Sequence, residues 1–264
     1  MDEPRFFCPR LRTGPMTLSP EEARHALGSL RLREGDTITL FDGAGHVGRG
    51  HIAVAAGPRG SIVQVEVEAV LAAAAPPHRL SLIGAGFKGP RPDWLVEKCT
   101  ELGATRLLIS RFSRSVVKPE ADRAQKLLRT AVEACKQSRR AWLPEILAGI
   151  DLRAALALAL ALDQPPPGGA TPPHTSNGTA LLVADLDPAA PSLASWLHGH
   201  GPTFAHLAVA IGPEGGLTDE ERELLRDSGG QTVRLGPNVL RIETAAVAVT
   251  AQWSGRLTPR GDGT

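Results

Sequence analysis

Residues 206–253 constrain the fold more than any other part of the chain. The apolar run 207–211 has the length and branching of a buried strand. It stops at Gly212-Pro213-Glu214-Gly215-Gly216, whose glycines open backbone angles closed to other residues. Thr218 lies three residues before Glu221, the spacing of a capping box, and Asp219 and Glu220 add negative charge to the first turn of a helix. Leu224 and Leu225 supply its apolar face and Gly229-Gly230 its end. A second strand over 231–235, a second tight loop at Gly236-Pro237-Asn238 and a last helix over about 240–253, rich in Ala and Val, complete the segment. Strand, glycine loop and helix, twice over, predict an α/β architecture. In such folds these loops gather at the carboxyl ends of the strands, where ligands bind.

The loop sequences narrow the ligand. No Lys-Ser/Thr follows the glycines and GxGxxG is not matched, so neither common phosphate-binding loop fits. Glu214 within the first loop would repel a phosphate and would suit a ligand with positive charge, such as a sulfonium or an ammonium. Alone, Gly-Pro-Glu-Gly-Gly reads equally well as a tight turn with a surface Glu; two such loops together favour a ligand.

The rest of the chain divides in two. At 264 residues it can form one large or two modest domains. Residues 36–41, 46–55 and 61–70 alternate like half-buried strands, with a turn signal at Asp42-Gly43-Ala44-Gly45. Ser19-Pro20-Glu21-Glu22 opens a short helix. After the Ala/Pro linker 72–77, strands are expected at 80–85, 106–110 and 181–184, with helices at 93–102 and 121–139, a pattern that predicts a mostly parallel sheet. The Pro/Gly-rich stretch 163–179 reads as a surface loop or insertion.

Formal charge is only +1, so any nucleic-acid surface must be local. Through Ala75 eight Lys/Arg face nine Asp/Glu, whereas from Arg106 to Arg140 ten Lys/Arg face three acids. A solvated helix face would show the same excess. Arg111, Arg114 and Lys118 fall instead in a strand-to-helix loop, where a phosphate backbone can be met. Cys8, Cys99 and Cys135 show no disulfide or zinc spacing, and His198-Gly199-His200 lacks companion ligands, so no metal is expected. Ser115 and Ser138 lack a His-Asp partnership, and the four Trp residues are not spaced as a base-stacking platform. No apolar run approaches the ~18 residues of a membrane span and no signal core opens the chain, which predicts a cytoplasmic protein with no membrane partner.

Ile211-Gly212-Pro213-Glu214-Gly215-Gly216, followed by Leu235-Gly236 and Leu240-Arg241-x-Glu243-Thr244-Ala245, closely resembles the RsmE family, the 16S ribosomal RNA uracil-N3 methyltransferases of the SPOUT superfamily. The resemblance continues through Arg5-Phe6, His25, Leu30-Arg31, Gly35-Asp36, Gly86-Phe87-Lys88-Gly89, Arg114-Ser115 and Gln137-Ser138-x-Arg140. Only Ser29 and the stretch 163–180 depart from it.

That resemblance implies a fold class and a chemistry. The fold would be α/β: a SPOUT-type knotted parallel-sheet domain over 78–255, carrying the Pro/Gly-rich loop 163–180, preceded by a small PUA-like β-barrel over 1–74 that docks RNA. S-adenosyl-L-methionine would bend within the two glycine loops, at Gly212, Pro213, Glu214, Gly215, Leu235, Gly236, Leu240 and Thr244. The substrate would be 16S rRNA, within the small ribosomal subunit, and the protein a homodimer with RNA contacts at Arg31, Lys88, Arg111, Arg114 and Lys118. Uracil N3–H lies on the Watson–Crick edge, so the base must be unpaired or extruded, and the proton must leave because neutral N3 has no free lone pair. Arg241 and Glu243 border the second loop and are the candidate catalytic pair. Residues two apart in a helix point about 200° away from each other, so they are expected to divide the work. Arg241 would stabilise a deprotonated uracil and Glu243 would hold the loop. Two alternatives stay open: an RNA-binding assembly factor that keeps the cofactor fold without turnover, and an adenine-nucleotide-dependent enzyme of small molecules. Thermal shifts with S-adenosylmethionine, S-adenosylhomocysteine and ATP separate the last from the other two.

Overall fold

A computed structural model describes residues 3–57, 60–86, 91–116, 123–161, 178–200 and 204–255. They form two compact units, one built on residues 1–75 with 135–143, the other on 76–134 and most of the chain after 144.

The first unit is a mixed sheet of β1 (Arg5–Phe7), β2 (Gly14–Thr17), β3 (Thr37–Phe41), β4 (His46–Gly57) and β5 (Gly60–Ala72), in the order β1-β3-β4-β5-β2. Alternation along β3 and β5 turns Ile38, Leu40, Val63, Val65 and Val67 inward, where they meet Phe6 and Ile52. Helix α1 (Pro20–Arg24) starts where its sequence says it should: Ser19 Oγ accepts the Glu22 N–H, and Pro20 stands in the first turn. A single π-helical turn, His25–Ser29, continues it, and Arg31 follows in the left-handed region at φ 55. Residues 135–143 join this unit through long-range polar contacts. Lys136 Nζ pairs with the buried Glu22 at 3.0 Å, Arg5 donates to the Arg140 carbonyl at 2.9 Å, and the Trp142 indole N–H donates to the Ala74 carbonyl at 3.0 Å.

The second unit is a six-stranded parallel sheet. Its strands are β6 (Arg79–Ala85), β7 (Arg106–Arg111), β8 (Glu145–Asp151), β9 (Thr179–Ala184), β10 (His206–Ile211) and β11 (Gln231–Val233), ordered β11-β9-β10-β6-β7-β8. Every pair of neighbours runs parallel. All six residues of β10 are buried, as a continuous apolar run in a parallel sheet should be. The helices are α2 (Arg91–Glu101), α3 (Arg123–Ser138), α4 (Leu152–Leu160), α5 (Leu193–His200), α6 (Asp219–Asp227) and α7 (Ile242–Gly255). Helix α7 packs on α2, β6 and β10.

Several elements differ from their sequence reading. Strand β11 ends at Val233, because Arg234 turns to bond the Pro191 and Ala190 carbonyls. Helix α7 starts at Ile242 and leaves Leu240 and Arg241 in the loop. The Ala/Leu-rich run after Asp151 is a helix, with the Asp151 carboxylate accepting the Ala154 N–H at 2.8 Å. Strands β1 and β2, of three and four residues, are too short to show a period. The loop expected over 163–180 falls almost wholly outside the described residues.

One buried titratable group gives the second unit a pH signature. His206 bridges Ser81 Oγ and Thr179 Oγ1, each at 3.0 Å, one ring nitrogen donating and the other accepting. Burial, and then the charges of Arg79 and Arg106, push its pKa down to about 3. The unfolded chain therefore takes up this proton first, and stability falls as pH drops from about 6.5 towards 3, by up to about 1.4 kcal/mol per pH unit. Denaturant unfolding between pH 7 and 4 checks this. His206→Gln is expected to be less stable at neutral pH and to lack this one-proton share of the slope.

Candidate active site

A cleft of about 250 Å³ opens at the carboxyl ends of β9, β10 and β11. Each strand contributes residues that follow it: Asp185 and Leu186 after β9, residues 212–214, 216 and 217 after β10, and residues 235, 236 and 238–241 after β11. Its walls are mostly apolar side chains and main chain, with a few charged groups at the mouth. That is the usual make-up of a small-molecule site at the strand ends of an α/β sheet.

The first glycine loop is held in a definite shape. Gly212 has Leu217 folded over it, so a Cβ would lie 2.9 Å from the Leu217 side chain. Gly216 sits at φ +73, a conformation L side chains rarely adopt, and its N–H closes a turn on the Pro213 carbonyl at 2.8 Å. Helix α6 then begins with the reciprocal pair that its sequence announces. Thr218 Oγ1 accepts the Glu221 N–H (3.3 Å) and Glu221 Oε2 accepts the Thr218 N–H (2.9 Å). The second loop is different: Gly236 lines the cleft, and a Cβ there would meet no atom of the described residues within 4 Å.

Of the residues predicted to hold a cofactor, Gly212, Pro213, Glu214, Leu235, Gly236 and Leu240 line the cleft. Gly215 instead backs onto Arg114, and Thr244 is an exposed residue within α7 that does not line the cleft. The candidate catalytic pair separates. The exposed Arg241 lines the cleft from the residue before α7, and its carbonyl accepts the Ala245 N–H that opens the helix. Glu243, two residues on, is buried, with one oxygen 3.7 Å from Arg91 and the other, Oε2, without a hydrogen-bond partner among the described residues. Arg91 also lies 4.0 Å from Glu214, so it stands between a cleft carboxylate and a buried one.

Among the residues expected to meet RNA, Arg111 is exposed at the end of β7 and Arg31 belongs to the N-terminal unit. Arg114 is exposed but donates to the glycine loop after β10. Lys88 and Lys118 lie outside the described residues. Asp185, Arg222, Asn238 and Val239 also line the cleft and were missed from sequence. Asp185, which forms an ion pair with Arg222, had one usable signal: it is the first polar residue after the apolar run of β9. Among the described residues no three His, Cys, Asp or Glu side chains gather to hold a metal.

The cleft fits S-adenosylmethionine on two counts. A Cβ at Gly236 would meet nothing within 4 Å among the described residues, and the half-exposed Glu214 carboxylate lines the cleft, where it suits a sulfonium or an ammonium.

Comparison with known proteins agrees with this geometry. A model of the RNA methyltransferase domain matches residues 74–254, and one of the RNA methyltransferase PUA domain matches residues 18–66. A Mycobacterium bovis protein named ribosomal RNA small subunit methyltransferase E is 31% identical over 246 residues, covering 92% of this chain and 86% of its own. A Synechocystis protein of the same name is 30% identical over 90% of this chain and 72% of its own length. The structure of ribosomal RNA small subunit methyltransferase E from Neisseria gonorrhoeae bound to S-adenosyl methionine superposes with a TM-score of 0.76 at 27% identity, covering 97% of this chain and 98% of that one. A Legionella pneumophila structure in complex with the cofactor SAM gives a TM-score of 0.77 at 25% identity, with the same coverage. By fold, site and sequence, the chain belongs to the RsmE family of S-adenosylmethionine-dependent ribosomal RNA small subunit methyltransferases.

Proposed function

We propose that this protein methylates N3 of a uridine in 16S rRNA, with S-adenosylmethionine as donor. The observation that carries the reading is the cleft formed by both glycine loops, with Arg241 at its edge. S-adenosylmethionine, when bound, supplies a methyl group on a sulfonium, a good leaving group that calls for no metal. Gly212, Pro213, Gly216, Leu235, Gly236 and Leu240 would hold it, with Glu214 balancing its positive charge. Arg241 lines the cleft, and its guanidinium would stabilise the oxygens of a uracil losing its N3 proton. Glu243, paired with Arg91, would keep the start of α7 in place.

Incubation with labelled methyl donor tests the reading on undermethylated small subunits and on protein-free 16S rRNA. Label at uridine N3 is the expected result. Binding of cofactor and RNA with no transfer to either substrate would make the protein a silent assembly factor instead.

The same reading includes RNA phosphate contacts by Arg31, Lys88, Arg111 and Lys118. Replacing Arg111 and Lys118 with Ala is expected to lower RNA affinity and to flatten its logarithmic salt dependence by about 0.7–0.9 for each phosphate no longer neutralised, with cofactor affinity kept. It also includes a cytoplasmic homodimer and the trefoil knot of the family. Val239 and Leu186, 79% and 54% exposed at the cleft rim, leave an apolar edge that a second copy would cover. Light scattering measures that stoichiometry.

A further inference from the structure

The loop after β7 is fastened to the glycine loop after β10. Arg114 Nη1 donates to the carbonyls of Gly215 (3.2 Å) and Leu217 (3.3 Å). One residue earlier, the Ser113 N–H donates to Glu221 Oε1 at 2.7 Å. Glu221 is buried, and its other oxygen is engaged in the capping box of α6. One carboxylate therefore ties two loops together, and its desolvation is offset by two N–H donors. The stem of Arg114 also packs on the glycine loop: a Cβ at Gly215 would lie 3.2 Å from Arg114 Cβ. Gly216 and Leu217, directly after Gly215, line the cleft, whereas Arg114 does not.

We infer that Arg114 is a positioning residue for the cofactor loop, so that RNA engaging the β7–α3 loop and S-adenosylmethionine entering the cleft act on one jointed element and strengthen each other's binding. The inference rests on the cofactor and RNA-contact readings above and adds a coupling between them. Arg114 commits Nη1 to carbonyls of its own chain, and the salt slope of RNA binding separates that role from a phosphate contact. Such coupling is reciprocal: the factor by which RNA tightens the cofactor equals the factor by which the cofactor tightens RNA.

Arg114→Met tests it, because it keeps an aliphatic stem against Gly215 while removing the donors. Arg114→Lys returns a nitrogen that can reach the same carbonyls. Calorimetry gives the S-adenosylmethionine dissociation constant with and without protein-free 16S rRNA, and thermal unfolding reports the fold of each variant. Arg114→Met is expected to weaken cofactor binding about tenfold, as loss of two hydrogen bonds implies. It is also expected to abolish the mutual strengthening while leaving the salt slope of RNA binding unchanged, and Arg114→Lys to restore most of both effects. Unchanged cofactor affinity in the Met variant overturns the inference; with a flatter salt slope, it assigns Arg114 to a phosphate. Wild-type protein whose cofactor constant ignores RNA overturns the coupling. Wild-type protein that binds no S-adenosylmethionine overturns the underlying site reading instead. Glu221→Gln is an independent arm: with one acceptor oxygen it must release Ser113 or Thr218, and it is expected to weaken the cofactor in the same direction. Unchanged cofactor affinity there also counts against the joint.

Discussion

Arg241→Ala is expected to lower kcat about a hundredfold or more while leaving S-adenosylmethionine affinity within about twofold. The side chain lines the cleft from the loop just before α7, where it is exposed and free to meet a base. Removing the N3 proton places charge on the two uracil oxygens, and a fixed cation beside them is worth more as that charge develops than before it. A group that acts in this way lowers kcat and kcat/KM together when it is lost. Arg241→Lys keeps the charge but not the planar fork, and is expected to recover only part of the rate. Lowering the proton's departure cost should also show in the pH–rate profile: without Arg241 the limb that rises as N3 loses its proton moves to higher pH. Single-turnover methylation at saturating RNA makes the measurement. Full activity in Arg241→Ala would place the catalytic group elsewhere. Glu243→Ala is expected to act differently, lowering stability or cofactor affinity, because its carboxylate is buried against Arg91 and not in the cleft.

Gly236→Val is expected to weaken S-adenosylmethionine binding by about a hundredfold or more with little change in thermal stability. A Cβ added at Gly236 meets no atom of the described residues within 4 Å, and its φ is not in the left-handed region, so the backbone tolerates one. Gly236 lines the cleft, and the volume the valine takes is volume the ligand needs. Gly216 offers the contrast. At φ +73 any side chain there strains the loop, and loss of binding would come with loss of stability. Gly212 is intermediate, because a Cβ there presses on Leu217, a side chain that can shift. Calorimetry with parallel unfolding curves separates the three. Equal damage to binding and folding at Gly236 would count against the cleft as the cofactor site.

The sequence was most legible where the physics is local. The Thr218–Glu221 box spans three residues, and both of its hydrogen bonds form as the spacing implies. The unbroken apolar run of β10 and the alternation of β3 and β5 showed burial directly, since strand faces follow sequence with a period of two. The first glycine loop announced a tight turn because Gly216 reaches an angle few other residues adopt, whereas Gly236 has an ordinary φ. Local reading placed the boundary at Arg241 less well. Leu240 and Arg241 have ordinary helix propensity, yet both stay in the loop and line the cleft.

What the sequence by itself determined is the α/β class, the two-part organisation of its patterning, both glycine loops and the chemistry that suits them. Each follows from residue type and short spacing. The tertiary structure alone decided which chemical groups meet. Arg114 reaches Gly215 across 101 residues, Ser113 reaches Glu221 across 108, and Lys136 reaches Glu22 across 114. Asp185 meets Arg222 at the cleft across 37. No local pattern encodes such pairs, because loop-closure entropy changes only slowly with separation and leaves the choice of partner to sheet order and packing. Strand order β11-β9-β10-β6-β7-β8 is therefore what brings three distant loops to one cleft and turns Arg241 towards it and Glu243 away.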